Sequence, residues 1–376
     1  MRKGLFGFIT AKNHFLSLIL PRMKHVDYIL VGLGIAGLCF AETLLRQGKN
    51  FLVIEDGEKE ATTASGGVLN PTVLKRFTAA WNAQQFFDKA IPFYDAIGER
   101  LEKQVLNPIG IQRIFNSIEE QNDWVVASDK KQLTAFLSSE IQKNTNESVK
   151  ATLGLGNVKG GALLHPAELI ERYRMYLQQN ELLVSENFDY DALETAETTN
   201  TYKKYTAEQI VFAQGAKVRE NPFFNLSVSP EGSRVFVGNK GEYVIFKAPN
   251  LQLTTILKGP VMIIPLGNDL YKVGASYGRD DFSEGTTNKA REEIVSKLKK
   301  MISCNFEVVD QVSGIRPTVK DRKPLLGNFL DHPKLYFLSG LGTRGLSMAP
   351  LLSEWLYDYI EKNEELPREV DLKRFL

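Results

Sequence analysis

Three glycines in the run Gly32-Leu33-Gly34-Ile35-Ala36-Gly37 constrain this chain more than any other feature. They follow the apolar stretch Tyr28-Ile29-Leu30-Val31 and open a segment with Leu38, Ala41, Leu44 and Leu45 at helical spacing. A buried strand, a turn free of side chains and a helix start form the first half of a βαβ unit. At such a turn the backbone amides and the helix N-terminus face a pyrophosphate, so the pattern predicts a dinucleotide cofactor. Gly48 falls where the helix needs a C-terminal glycine, and Phe51-Leu52-Val53-Ile54 reads as a second buried parallel strand. Glu55 and Asp56 end that strand. Glu55 stands where the fingerprint places the acid that accepts hydrogen bonds from ribose hydroxyls. The competing reading is a solvated acid at a strand end.

With 376 residues the chain can bury two cores, or one discontinuous domain with another inserted. Its 46 Lys and Arg against 45 Asp and Glu leave a net charge of +1, which gives no support to a broad nucleic-acid surface. Cys39 and Cys304 sit in no CxxC pattern, and His14, His25, His165 and His332 show no metal-ligand spacing. Two reduced structural thiols in a cytoplasmic protein, without a metal, are the expectation. The apolar run Phe15–Leu20 is too short for a bilayer span. Met23 reads as the natural start and residues 1–22 as an upstream extension. A short membrane-surface anchor is the rival reading of that segment.

Farther along, Thr62-Thr63-Ala64-Ser65-Gly66-Gly67 forms a small-residue loop suited to lie over a cofactor, although ordinary turn chemistry also explains it. Residues 81–105 read as a helix whose apolar positions, Trp81, Phe86, Phe87, Ile91, Tyr94 and Ile97, are core. His165-Pro166 precedes a helix over Ala167–Gln178, and Ile210–Ala216 is a buried strand ending at Gly215. From Val235 to Ser276 the texture changes to β runs, with Gly267-Asn268 as a hairpin turn. Residues 285–303 read as a charged helix. Glycine-rich sequence then returns: Gly314-Ile315-Arg316-Pro317, Asp321, Pro324-Leu325-Leu326-Gly327, a strand at Leu335–Leu338, a tight loop at Ser339–Gly345, and a helix over Leu346–Glu361 with Pro350 in its first turn.

Three blocks together resemble the FAD-dependent D-amino-acid oxidase-like (DAO) oxidoreductases. They are the fingerprint with Glu55, Gly314–Pro317 with Pro324 and Gly327, and Ser339-Gly340-Leu341-Gly342-Thr343-Arg344-Gly345. The resemblance covers Lys24 to the end. The last block, with Val273-Gly274-Ala275-Ser276-Tyr277, is most similar to the flavin domains of bacterial enzymes that modify the tRNA wobble uridine. The resemblance implies an α/β fold, α+β overall: a Rossmann-like FAD-binding domain built from residues 23–80, 150–225 and 310–376, and a substrate domain on a mixed β-sheet from residues 81–149 and 226–309.

It also implies chemistry and site residues. A hydride leaves the carbon next to an amine for the flavin, giving an imine, and oxygen or a quinone accepts the electrons. Arg316 would bind a substrate carboxylate through two parallel hydrogen bonds, with a structural salt bridge to Asp321 as the alternative. Tyr277 would line the pocket or sit in the core. Thr343 stands where glycine oxidase has a second pocket arginine, a departure from that subfamily's pattern. The implied cofactor set is Gly32, Gly34, Ile35, Ala36, Gly37, Glu55 and Asp56 at the ADP end. Thr63, Ala64, Ser65, Gly66, Gly67, Ala213 and Gly215 follow along its length, and Arg316, Gly340, Gly342, Thr343, Arg344, Gly345 and Leu346 surround the flavin. Arg344 would add charge there or face solvent. No cysteine or histidine falls at the family's covalent attachment points, so FAD is expected to be non-covalent. Three readings follow: oxidation of a small amine or amino acid, the same chemistry on a carboxymethylaminomethyl-modified tRNA uridine, or FAD binding without turnover.

Overall fold

The computed structural model describes residues 23–58, 61–224, 226 and 234–376, so the extension 1–22 lies outside the described residues. The first sheet has a parallel centre. Its strands run in the order Leu183–Ser185, Phe51–Glu55, Lys24–Val31, Tyr205–Phe212 and Leu335–Ser339. The middle strands are apolar at nearly every position because both faces of the sheet are covered. Helices Ile35–Arg46, Ala83–Arg100, Pro166–Gln179 and Gly345–Lys362 cover one face. An aromatic cluster covers the other, in which Phe212 and Phe337 stack at 5.4 Å. The apolar stripe expected over residues 81–105 is core, on a helix that runs from Ala83 to Arg100.

The second sheet has nine strands and is mixed. Its longest pair joins Phe236–Lys247 to Glu307–Val319, antiparallel along almost their whole length. Phe236–Lys247 also pairs with Leu270–Gly274, which continues to Met262–Gly267, Ile256–Lys258 and Ile111–Ile114. Leu155–Val158 pairs in this sheet too, with Ile111–Ile114. We therefore propose that the chain crosses back to the parallel sheet after Leu164 rather than near residue 150. Among the described residues no helix is long and apolar enough to cross a membrane.

Two local expectations are corrected. The hairpin between Met262–Gly267 and Leu270–Gly274 turns on Asn268 and Asp269, with φ of 53° and 60°. Both central residues thus take the left-handed conformation that a two-residue hairpin demands. Gly267 instead sits at an irregularity in the strand. The C-terminal helix starts at Gly345, which puts Pro350 in its interior instead of its first turn. A proline there leaves the carbonyl of Leu346 without its helical donor. The Tyr94 hydroxyl fills the gap, donating to that carbonyl at 2.6 Å.

Close approach of helix Ile35–Arg46 to the sheet rests on Gly37. A Cβ at Gly37 would stand 2.0 Å from the carbonyl oxygen of Gly32. Gly37→Ala is therefore expected to destabilise the protein by about 2–3 kcal/mol through overpacking. Gly48 also has positive φ, at 68°, but nothing lies within 4 Å of its Cβ position. Gly48→Ala is expected to cost only about 1 kcal/mol, from the left-handed backbone alone. Urea denaturation of the two variants checks the contrast, and equal losses would contradict it.

Candidate active site

The fingerprint turn is built by contacts that only glycine permits. Gly32 has φ of 98°, and a Cβ there would meet the Ala213 carbonyl oxygen at 2.7 Å. Gly34 caps helix Ile35–Arg46 without a side-chain hydrogen bond. The Ile35 amide donates to Thr62 Oγ1 at 3.0 Å. The helix end stays open toward a cavity that Gly34, Ile35 and Ala36 line, and its orphan amides and dipole favour an anion there.

Glu55 lies at the end of the second strand and is buried. It accepts from Arg174 Nε at 2.5 Å and from the Gly57 amide at 2.9 Å. It is not a solvated acid. Asp56 and Glu58 share Lys217, whose Nζ reaches each at 2.6 Å. A smaller pocket at this end is lined by Gly32, Gly34, Glu55, Asp56 and Thr63.

The main cavity, about 970 Å³, lies between the two sheets. Of the residues expected around a cofactor, it gathers Gly34, Ile35, Ala36, Ala64, Ser65, Gly66, Gly67, Ala213, Gly215, Arg316, Gly342, Thr343, Arg344, Gly345 and Leu346 on its walls. Gly37 and Gly340 line neither pocket. They act as spacers: Gly340 has φ of 73°, and a Cβ there would meet Val319 Cγ2 at 2.6 Å. Tyr277 lies on the cavity wall with 56% of its surface exposed, which sets aside the core-tyrosine reading. Thr343 is exposed at the same cavity.

Arg316 stands opposite Asn239 on the long strand pair. Its guanidinium lies over Gly241, where a Cβ would come within 2.0 Å of Nη2. Its Nη1 is buried and has no hydrogen-bond partner. Asp321, the alternative structural partner, is taken by Arg374 at 2.9 Å. Arg344 neither faces solvent nor carries a free charge toward the cavity. Its Nη1 and Nη2 donate to the carbonyls of Asn70 and Thr72 at 2.7 and 2.9 Å, pinning that loop to the C-terminal helix. Burial pushes its pKa down.

Two lysines of the second sheet were not singled out in the sequence. Lys272 Nζ donates to the Ser65 and Ala64 carbonyls at 2.8 and 3.3 Å, and burial lowers its pKa to about 8. Lys258 lines the cavity, and burial together with the like charges of Arg113, Lys297 and Lys75 lowers its pKa to about 8. Arg174 and Lys217, the partners of Glu55 and Asp56, were also missed. Lysines and arginines at alternating strand positions or on exposed helix faces look alike in sequence wherever the neighbouring layer is unknown.

The residues fit FAD. The open helix end at Gly34 suits a pyrophosphate, and the glycines keep the backbone bare. The buried Ser65 Oγ and Arg316 Nη1 both lack protein partners, as polar atoms beside a bound polar group do.

Comparison with known proteins agrees with this geometry. The family model described as FAD dependent oxidoreductase, DAO, matches residues 27–359. The glycine oxidase of Bacillus licheniformis is 23% identical over 355 residues, covering 90% of this chain and 94% of that protein. A tRNA 5-methylaminomethyl-2-thiouridine biosynthesis bifunctional protein of Idiomarina loihiensis is 25% identical over 347 residues. That match covers 87% of this chain but 54% of the relative. Among solved structures, glycine oxidase from Geobacillus kaustophilus superposes with a TM-score of 0.73 at 20% identity, covering 94% of this chain and 98% of that one. With the glycine cradle, the cavity between the sheets and a family match over most of its length, the chain belongs to the FAD-dependent oxidoreductase (DAO) family.

Proposed function

We propose that this protein oxidises the carbon–nitrogen bond of a small amine or amino acid whose carboxylate Arg316 holds. The observation that carries this reading is the buried, unpartnered Nη1 of Arg316 in the cavity wall. A guanidinium in that state has the geometry and the unmet charge to take a carboxylate with two parallel hydrogen bonds. Bound FAD supplies the hydride acceptor.

The chain's own residues orient the substrate and support the pocket. Gly241 leaves room for the guanidinium to lie flat, and Gly314 lets the Ala61–Ala64 turn pack close to the same strand, since a Cβ at Gly314 would meet Ala61 Cα at 2.7 Å. Arg316 fixes the carboxylate and thereby the adjacent carbon and its amine. Lys272 holds the Ala64 and Ser65 carbonyls and so keeps that loop against the cavity. The N-terminal turn of helix Gly345–Lys362 lines the same space, and its dipole favours negative charge there. Oxidation leaves an imine, which water hydrolyses. The electron acceptor that completes the cycle is oxygen or a quinone. Both cysteines are free, in keeping with a cytoplasmic setting.

A second reading keeps the chemistry and changes the substrate to a carboxymethylaminomethyl group on a tRNA uridine. The likeness to the bifunctional tRNA proteins supports it, and Arg316 could hold that carboxylate as well. Anaerobic mixing separates the readings. Bleaching of the flavin absorbance by amino acids or N-methylated amines supports the first reading. Bleaching by modified tRNA alone supports the second. A yellow protein that neither reduces would overturn both.

Two variants test the residue roles. Arg316→Met is expected to lower kcat/KM for a carboxylate-bearing amine roughly a hundredfold or more, because a buried charge-assisted contact is lost. Arg316→Lys is expected to recover only part of that loss, since it restores the charge but not the fork. Stopped-flow reduction rates measure both, and unchanged rates would remove Arg316 from the site. Glu55→Gln is expected to weaken FAD binding about tenfold by removing the charge offered to the ribose hydroxyls. Fluorescence titration of the apoprotein with FAD reads that change.

A further inference from the structure

We infer that Lys258, with Lys75 near it, forms a second anion subsite in the cavity that holds Arg316, and that the amine substrate carries a second anionic group at its far end. This rests on the amine-oxidation reading for the identity of the first group but not for the subsite itself.

Strand register places the two cations on one face of one sheet. Lys258 pairs with Met262, Met262 with Gly274, and Gly274 with Tyr243. Paired residues share a face, and Gly241 shares the face of Tyr243 two residues on. Arg316 lies over Gly241. Lys258 and Tyr243 are thus three strand spacings apart, and Gly241 lies two residues along from Tyr243, so the backbones of Lys258 and Gly241 are about 16 Å apart. The two cations thus approach the cavity from backbone positions well apart on one sheet face, an arrangement that a molecule with an anion at each end can meet at both.

Lys258 is also uncompensated. Its neighbours Arg113, Lys297 and Lys75 are all cationic. The charge of Arg113 is met by Glu120, to which Nη2 donates at 2.9 Å, and its Nη1 donates to the Gly259 carbonyl at 3.4 Å, while its Nε is buried without a partner. Lys297 pairs with Glu293. Among the described residues no acid and no hydrogen-bond acceptor meets Lys258 Nζ. A largely buried ammonium without a partner is costly unless a ligand completes it, and its reduced pKa of about 8 reflects that cost. Both Lys258 and Lys75 face the cavity, so the ligand that completes the site is one that enters there.

Titration of the FAD-loaded protein with non-oxidisable ligands tests this without turnover. The probes are butyrate, the dicarboxylates succinate, glutarate and adipate, and 3-phosphonopropionate, with Kd read from the perturbed flavin spectrum. At least one dianion is expected to bind ten times or more tightly than butyrate. Lys258→Met is expected to abolish that advantage while leaving butyrate within twofold, and to raise Tm by removing an unpaired buried charge. Lys258→Gln serves as the second variant where Lys258→Met does not fold. A preference for the dicarboxylates or for the phosphonate identifies the second group as carboxylate or phosphate. The assignment is overturned where no dianion outbinds butyrate, or where both variants lose butyrate and dianions alike. Lys258-dependent dianion binding without bleaching by any amine would retain the subsite and reject the proposed reaction. Bleaching by amines without that dependence would do the reverse.

Discussion

The pairing of Phe236–Lys247 with Glu307–Val319 is the interaction on which the site depends. It gives the second sheet its longest ladder and carries the chain toward the parallel sheet, where Thr318 bridges Leu341. Because paired positions share a face, it sets Arg316 beside Gly241 and turns the guanidinium inward. Any side chain at Gly241 would displace that group. The glycine at one position and the arginine near it are thus a single device, assembled across about 75 residues of sequence by register alone.

Charge is distributed with the same economy. At the smaller pocket each acid has a partner: Glu55 has Arg174, and Asp56 has Lys217. Around the main cavity Arg344 is consumed by two backbone carbonyls and Lys272 by two more. Arg316 and Lys258 stand apart because the protein leaves their positive charge unmet. In a low-dielectric cavity such a charge is worth more to an incoming anion than it would be in water. On the reading proposed above, the cavity would favour negative charge at two points, and the open helix end at Gly34 would favour a pyrophosphate through backbone amides.

Much of this was legible in the sequence because it depends on short-range rules. The fingerprint, its helix, the second strand and Glu55 are adjacent in the chain, and glycine spacing reports them directly. The apolar runs at Ile210 and Leu335 announced strands, although the first begins at Tyr205 and ends at Phe212, and their parallel pairing came only with the structure. Features that needed a second layer were not legible. Pro350 reads as a first-turn residue until Tyr94, far away in sequence, is seen holding the Leu346 carbonyl. Arg344 reads as a charge beside the cofactor until the loop at Asn70 arrives to occupy it. Asn268 and Asp269 displaced Gly267 from the turn because the partner strand's register, not glycine content, fixed where the chain reversed.

The sequence by itself determined the family and the cofactor class, since a bare turn before a helix has few other physical uses. The tertiary structure decided which basic residues are spent on the fold and which are left for a ligand. That choice depends on partners contributed by distant segments, as with Arg374 claiming Asp321 and thereby leaving Arg316 free. No local pattern encodes it, because a charge is free or satisfied only with respect to everything packed around it.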